Sequence, residues 1–213
     1  MFYLVKEMVR CGYVSLPRGL QLAVGHVRYR ATRQEHHSTI DRARDTSLAA
    51  IRGRPRDELV GLSAQIVHEH LVPRVYSTII VLIEQHRLAG DEIYLATSSA
   101  EELAQPMARE LGMDGAMGTR VEVEKGIYTG RLRGPLNHGE AKAARIVNTA
   151  RGRRLDLSRS TAYSDSIHDL PMLELVGHPV AVNPDRRLRA LARSRDWRII
   201  ETEARRLDRA SLR

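Results

Sequence analysis

Residues 162–185 read AYSDSIHDLPMLELVGHPVAVNPD and decide the fold. A predicted strand, Ser160–Ser164, is followed at once by Asp165, and a second carboxylate, Asp169, comes shortly after it at the start of a predicted helix. Both acids can therefore reach the same point at the edge of a sheet. Mg²⁺ takes one or two carboxylates together with phosphate and water, so this pair is a candidate metal site. The structural alternative makes Asp165 a turn residue and Asp169 a helix N-cap.

Working outward from this stretch, strands and helices alternate from Arg74 onward. This order is typical of a doubly wound, Rossmann-like parallel α/β sheet, whose ligands bind at the carboxyl ends of the strands. The predicted elements are helix 74–89, strand 92–96, helix 100–111, a hairpin over 120–129, helix 140–150, strand 160–164, helix 168–176, strand 179–182, helix 184–193 and strand 197–200.

The first third of the chain has a helical pattern instead. In residues 57–71 the apolar positions fall near the i, i+3, i+4, i+7 spacing of a helix with one buried face, and Pro73 ends it. We therefore predict two units, a helical one over residues 1–72 and the α/β core over residues 73–213.

Thr97, Ser98 and Ser99 directly follow the predicted strand EIYLA and precede a helix. Hydroxyl groups and free backbone N–H groups at the N-terminus of a helix can bind an anion such as phosphate. A purely structural role is also open, because Ser99 and Glu102 have the spacing of a capping box.

Lys142 is one of three lysines in a chain that otherwise uses arginine, and it lies in the first turn of a predicted helix. The helix dipole disfavours a cation there, so the position suggests a point charge that is needed beside carboxylates or phosphate. A surface lysine is the alternative. His168 has no Cys or second His at ligand spacing, which favours a helix-start residue over a metal ligand.

Composition excludes several classes of protein. The chain has 213 residues and a net charge of +8, but its basic residues are scattered and aromatic residues make up only 4%, which argues against nucleic-acid binding. Cys11 is the only cysteine, so no internal disulfide can form and a reducing compartment is expected. The longest apolar run, residues 79–83, is too short to span a membrane, and no export signal is visible. We expect a cytoplasmic protein.

Taken together, these motifs resemble the haloacid dehalogenase superfamily, and within it the branch that includes phosphoserine phosphatase, with a helical cap inserted early in the chain. The motifs are LATSSAEELAQPM, TRVEVEKGIYTG, GEAKA and the acidic stretch quoted above. The resemblance implies a Mg²⁺-dependent phosphomonoester hydrolase with a small phosphorylated substrate and an aspartyl-phosphate intermediate. By it, Thr97 and its neighbours Ser98 and Ser99 bind phosphate, Lys142 neutralises the phosphorylated site, Asp165 binds Mg²⁺, and Asp169 helps to hold the metal and the lysine.

One departure from the family matters most. The family's first strand ends in D-x-D-x-T, which carries the nucleophile, and it lies centrally between the strands that end at Thr97 and Asp165. The chain contains no D-x-D-x-T, and its nearest candidate, residues 41–46, has the wrong spacing and follows a polar stretch. We therefore expect a chain that lacks the family's first strand, truncated at its N-terminus and inactive as written. The alternative is a non-catalytic relative that binds phosphate or metal.

Overall fold

The computed structural model describes Arg10 and residues 37–202. The helices are α1 (His37–Ile51), α2 (Arg56–Ile66), α3 (Ser77–Leu88), α4 (Glu101–Glu110), α5 (Gly139–Arg153), α6 (Leu170–Leu173) and α7 (Arg186–Ser194). The strands are β1 (Tyr94–Ala100), β2 (Gly115–Thr119), β3 (Val121–Glu124), β4 (Ile127–Leu132), β5 (Thr161–Ser164), β6 (His178–Val182) and β7 (Arg198–Ile200).

The strands that alternate with helices form two parallel half-sheets. In one, β1 pairs with β2, with Leu95 opposite Ala116 and Ala96 opposite Met117. In the other, β5, β6 and β7 lie side by side in sequence order. Strand–helix alternation and parallel pairing confirm the predicted Rossmann-like α/β core.

Strand β2 was not among the predicted elements. Its sequence, GAMGT, has no Val, Ile or aromatic residue, so propensity does not favour a strand there. Burial decides its structure instead, because all its residues from Ala116 to Thr119 are buried, and the small side chains of Ala104 and Ala108 on α4 pack against it.

The described part of the helical segment packs on the β3–β4 hairpin, which follows the carboxyl end of β2. Ile51 of α1, Leu59 of α2 and Tyr128 of β4 form a small buried cluster. Lys125 and Gly126, with φ of 50° and 81°, make the tight turn predicted for this hairpin. Residues 41–46 lie within helix α1, so Asp41 and Asp45 do not follow a strand. Residues 1–9, 11–36 and 203–213 lie outside the described residues, and the boundary between cap and core at residue 72 stays a prediction.

The predicted helix over residues 57–71 does not end as a regular α-helix. Helix α2 passes into a π-helical stretch, Val67–Leu71, and then into a 3₁₀ turn, Val72–Arg74, that contains Pro73. Within residues 37–202 no single helix is long and apolar enough to cross a membrane. The stretch 56–74 and helix α3 meet that test only when taken together, and a bend of 101° separates them.

A cavity of about 840 Å³ separates the two half-sheets. Leu95 and Ala96 line it on the β1 side, and Ala162 and Ser164 line it on the β5 side. In the described residues β1 and β5 do not pair with each other. Strands β1 and β5 therefore line one cavity without pairing with each other.

Candidate active site

Lys142 and Asp169 form a buried ion pair at the carboxyl end of β5. The Nζ atom of Lys142 lies 2.5 Å from Oδ1 of Asp169, and the two side chains are 5% and 15% exposed. Oδ2 of Asp169 accepts a hydrogen bond of 2.8 Å from the hydroxyl of Ser164, the last residue of β5. The fold therefore holds the ammonium group at a fixed point, although the first turn of a helix disfavours a cation.

Side-chain oxygens that accept hydrogen bonds from backbone N–H groups stabilise the turn that carries Asp169. Ser166 caps the 3₁₀ turn Ile167–Asp169 by accepting a hydrogen bond from the backbone N–H of His168. Asp185 also accepts a hydrogen bond of 2.7 Å from the backbone N–H of Ile167. Asp169 occupies the N-cap position of α6, yet its side chain makes no capping hydrogen bond. Its carboxylate faces Lys142 and Ser164 instead.

Asp165 stands directly after β5 and is exposed, where it lines the cavity between the half-sheets. Its backbone carbonyl accepts a hydrogen bond of 2.8 Å from the backbone N–H of Asp185, which fixes the loop that follows the strand. The structure thus places Asp165 on the solvent side of the site and the Lys142–Asp169 pair on the buried side.

The predicted capping box of Ser99 and Glu102 is wrong. Strand β1 continues through Thr97, Ser98 and Ser99 to Ala100, and helix α4 begins at Glu101 without a side-chain cap. Glu102 accepts a hydrogen bond from the hydroxyl of Tyr128 at 2.9 Å, which draws its carboxylate to the hairpin.

Thr97 and its two neighbours are therefore extended residues at the end of a strand, and none of them is the N-cap of α4. The hydroxyl of Thr97 accepts a hydrogen bond of 3.1 Å from the backbone N–H of Ser99. Ser98 and Ser99 are exposed. A phosphate contact by these three residues stays a prediction.

Asn137, which was not predicted from the sequence, lies beside the candidate site. It is only 3% exposed, and its side-chain amide donates hydrogen bonds to the carbonyls of Thr97 at 2.8 Å and Met117 at 2.7 Å. Its own backbone N–H donates to the hydroxyl of Thr119. Asn137 thus joins the ends of β1 and β2 to the loop before α5. Asn137 lies in the stretch RGPLNHGEAKA. Only its amide side chain and its position just before a helix could have indicated its role from the sequence.

Helix α5 brings the two halves of the site together. Its N-terminal turn carries Lys142, and the helix contacts both β1 and the 3₁₀ turn that carries Asp169. The rings of His138 and His168 meet beside this turn with centroids 5.2 Å apart, so His168 packs against a second imidazole. Within residues 37–202 no group of three or more His, Cys, Asp or Glu side chains could hold a metal ion.

The residues present nevertheless match a hard cation in ligand type. Asp165 is an exposed carboxylate residue that lines an open cavity, and Mg²⁺ commonly takes only one or two carboxylates and completes its shell with water and phosphate. Asp165 is exposed, whereas the side chain of Asp169 is only 15% exposed, so Asp165 is the more accessible of the two acids.

A histidine and a tyrosine border the same cavity farther from the ion pair. His86 of α3 contacts Asp91 through Nδ1 at 2.7 Å and the hydroxyl of Tyr163 through Nε2 at 2.7 Å. Burial raises the pKa of the Tyr163 phenol above its ordinary value of 10.0. This chain of contacts ties α3 to β5 and fixes one face of the cavity.

Comparison with known proteins defines the class. The haloacid dehalogenase-like hydrolase family matches residues 1–174, which is most of the chain. The chain therefore belongs to the haloacid dehalogenase-like hydrolases, and its predicted likeness to the phosphoserine phosphatase branch is confirmed.

Two relatives show how much of the chain is shared. The phosphoserine phosphatase SerB1 of Mycobacterium tuberculosis is 44% identical over 166 residues, which are 78% of this chain and 54% of that protein. The histidinol-phosphatase of Neisseria meningitidis is 32% identical over 157 residues, which are 72% of this chain and 71% of that protein. The chain thus spans about half the length of its mycobacterial relatives.

A solved structure agrees with the fold over nearly the whole chain. The crystal structure of a protein of unknown function from Bordetella pertussis superposes with a TM-score of 0.78 and 27% identity, and the match covers 93% of this chain and 90% of that one.

Proposed function

We propose that this chain forms most of the active site of a Mg²⁺-dependent phosphomonoester hydrolase that works through an aspartyl-phosphate intermediate. The observation that carries the proposal is the buried Lys142–Asp169 pair, which holds an ammonium group at the carboxyl ends of the strands. A compact, buried point charge of this kind suits a phosphoryl group, whose negative charge must be balanced during transfer. Family membership and the names of the two relatives support the same class of reaction.

Each residue has a distinct part in this proposal. Lys142 neutralises the transferred phosphoryl group, and Asp169 and Ser164 fix the position of its ammonium. The hydroxyl of Thr97 and the exposed Ser98 and Ser99 hold phosphate oxygens at the end of β1. Asn137 is a positioning residue, because it sets the carbonyl of Thr97 without facing the substrate.

Asp165 would bind the magnesium ion at the cavity. Asp169 would help to hold both the ion and the ammonium group of Lys142. A bound Mg²⁺ would supply charge neutralisation for the phosphate oxygens. The helical segment over residues 1–72 would cover the site and choose a small phosphorylated substrate, because its described part packs on the hairpin at the carboxyl side of the strands.

The nucleophile is the part that the printed sequence does not contain, since no D-x-D-x-T occurs in it. Loss of a catalytic nucleophile in a covalent hydrolase costs about 10⁶-fold in kcat. We therefore expect the 213-residue chain alone to be inactive. The same absence supports a second candidate function, a non-catalytic relative that binds phosphate or metal.

The test is a phosphomonoesterase assay with and without Mg²⁺ on two proteins. One is the 213-residue chain, and the other, the extended chain, carries an added apolar strand ending in D-x-D-x-T at its N-terminus. We expect Mg²⁺-dependent turnover from the extended chain only. Robust turnover by the 213-residue chain would place the nucleophile elsewhere, and a folded but inactive extended chain would favour the binding protein.

Lys142→Arg in the extended chain is the matched test of the ion pair. The planar guanidinium group cannot replace a point charge in a tight site, so turnover should fall strongly while the charge is kept. Arg131→Lys, in the exposed hairpin, is the control and should keep full turnover. Equal activity in both variants would remove Lys142 from the mechanism.

A further inference from the structure

We propose that Thr119 is a positioning residue for the phosphate contact at Thr97. Its hydroxyl holds residues 97–99 of β1, the β1 bulge, in the conformation that prepares Thr97 to donate a hydrogen bond to an anion. The effect on phosphate rests on the proposed function, whereas the hold on β1 does not. The register of β1 and β2, the hydrogen bonds of the Thr119 hydroxyl and the close approach at Gly118 support this role.

The pairing of β1 with β2 is interrupted at the β1 bulge. Regular pairing stops with Ala96 opposite Met117. It resumes with Ala100 opposite Thr119, so three residues of β1 stand against one residue of β2. Bulges of this kind bend a strand and re-aim its side chains, and they are common next to active sites. The β1 bulge consists of the three hydroxyl residues that are predicted to bind phosphate.

Thr119 joins the β1 bulge to the loop before α5. The residue is only 5% exposed. Its hydroxyl donates a hydrogen bond of 2.7 Å to the carbonyl of Ser98 and accepts one of 3.2 Å from the backbone N–H of Asn137. A hydroxyl has one hydrogen to donate, and the contact with Ser98 uses it. Loss of this hydroxyl would therefore remove a partner from two backbone groups at once, which is costly at a buried position.

Side chains hold two successive carbonyls of the β1 bulge. The amide of Asn137 donates to the carbonyl of Thr97, and the hydroxyl of Thr119 donates to the next carbonyl, that of Ser98. In a regular strand, successive carbonyls point toward opposite neighbours. Here both donors lie on the β2 side, because the amide of Asn137 also donates to the carbonyl of Met117. Side-chain hydrogen bonds thus replace the regular pairing and fix the backbone of the bulge.

Gly118 allows the β1 bulge to approach β2 closely. A Cβ at this position would lie 3.0 Å from the carbonyl oxygen of Ser99 and 2.6 Å from the Cα of Glu101, so a side chain does not fit. The carbonyl of Gly118 accepts a hydrogen bond from the guanidinium group of Arg145 on α5. The bulge is therefore confined by the backbone of Gly118 as well as by the hydroxyl of Thr119.

The conformation of the β1 bulge sets the hydrogen bonding of the Thr97 hydroxyl. This hydroxyl accepts a hydrogen bond of 3.1 Å from the backbone N–H of Ser99. A hydroxyl that accepts a hydrogen bond keeps its own hydrogen for donation, and phosphate oxygens are strong acceptors. The peptide groups of Ser98 lie between the two partners, so a shift of the Ser98 carbonyl disturbs their contact. Thr119 is buried, and it therefore acts on the anion through Thr97.

The test compares the binding of inorganic phosphate by variants of the 213-residue chain. Thr119→Val keeps the branched side chain and removes the hydroxyl. Thr119→Ser and Thr119→Ala form a second pair that differs only in a hydroxyl. Phosphate affinity is measured by NMR titration of isotope-labelled protein, in which the backbone amide signal of Ser99 also reports the conformation of the bulge. Thermal unfolding of each variant is measured alongside.

We expect Thr119→Val to shift the amide signal of Ser99 and to weaken phosphate binding at least about tenfold. Thr119→Ser should bind phosphate at least about tenfold more tightly than Thr119→Ala, and this pair decides the matter if Thr119→Val does not fold. Thr129→Val is the matched control, because the hydroxyl of Thr129 bonds to Glu122 within the β3–β4 hairpin. It should leave both phosphate affinity and the Ser99 signal unchanged. Lower stability of Thr119→Val with unchanged phosphate affinity would make Thr119 a purely structural residue and overturn the proposal.

Thr97→Val separates this proposal from the proposed function. If Thr97→Val and Thr119→Val both weaken phosphate binding, both proposals stand. If only Thr97→Val weakens it, Thr97 binds phosphate as proposed and the positioning role of Thr119 is wrong. If Thr119→Val shifts the Ser99 signal but neither variant changes phosphate affinity, Thr119 holds the bulge and the phosphate contact of Thr97 is wrong. A wild type that binds no phosphate would overturn both that contact and the positioning role.

Discussion

The ammonium group of Lys142 lies 2.5 Å from Oδ1 of Asp169, and Ser164 donates a hydrogen bond to the other oxygen of the same carboxylate. One carboxylate thus joins helix α5 to the end of strand β5. Because the pair is buried, each charge depends on the other for compensation.

Lys142→Met should destabilise the protein by about 3–5 kcal/mol, since it leaves the Asp169 carboxylate buried without its counter-ion. The double variant Lys142→Met with Asp169→Leu should recover much of that loss, because it removes both charges. Urea unfolding is measured for the wild type, Lys142→Met, Asp169→Leu and the double variant. Arg131→Met is the control, because its side chain is 66% exposed in its ion pairs, and it should change stability by less than about 1 kcal/mol. Strictly additive effects of the two site substitutions would contradict the coupling.

Asn137→Ala should cost about 1–3 kcal/mol, because it leaves the carbonyls of Thr97 and Met117 without their shared donor. Asn148 is exposed on α5, so Asn148→Ala should stay within about 0.5 kcal/mol of the wild type. Thermal unfolding compares the two. Similar melting temperatures would show that Asn137 does not hold the ends of β1 and β2 together.

The charged residues of the candidate site could be predicted from the sequence, but the residues that hold them in place could not. Asp165 and Asp169 follow a strand at a spacing that the sheet edge dictates, and Lys142 was recognisable by its unfavourable place in a helix. Nothing in the sequence distinguishes Ser164 from the other serines. Its hydrogen bond to Asp169 depends on the structure of the turn after β5. Asn137 bonds to carbonyls 40 and 20 residues away, so no local pattern marks it.

Tertiary contacts also explain where the predicted elements differ from the observed fold. Strand β2 is held by burial between its neighbours and not by propensity, so GAMGT gave no strand signal. The capping box failed because Glu102 bonds to Tyr128, which is 26 residues away.

Gly118→Ala should lower stability, because a Cβ at this position would lie 2.6 Å from the backbone Cα of Glu101 and force β2 and α4 apart. We expect a loss of about 1–3 kcal/mol. Gly61→Ala is the control, since it adds the same atom in open space on helix α2 and should stabilise the protein by about 0.5–1 kcal/mol. The midpoint of chemical denaturation should therefore shift in opposite directions for the two variants. A shift in the same direction would contradict the close approach of Gly118 to Glu101.

Ionisation of Tyr163 should lower the free energy of unfolding at high pH. Burial raises the pKa of its phenol in the folded state, so the folded protein favours the protonated form. The contribution is complete below the ordinary pKa of 10.0 and is lost as the pH rises through the raised pKa. Tyr163→Phe has no phenol to ionise, so its stability should fall less steeply above pH 10.0. Urea titrations on both sides of that pH measure the slope, and Tyr76→Phe, at a half-exposed tyrosine, is the control. Parallel curves for wild type and Tyr163→Phe would contradict the assignment.

Asp165→Asn should weaken Mg²⁺ binding and leave the fold intact. Asp165 is exposed and lines the cavity, so its neutral isostere should remove the proposed metal ligand with little loss of packing, and stability should change by less than about 0.5 kcal/mol. Calorimetric titration of the extended chain with Mg²⁺ should show affinity reduced at least about tenfold. Asp196→Asn, at an exposed position in the turn before β7, removes the same charge away from the site and should leave Mg²⁺ affinity unchanged. If both variants bind Mg²⁺ as the unsubstituted extended chain does, Asp165 is not a metal ligand.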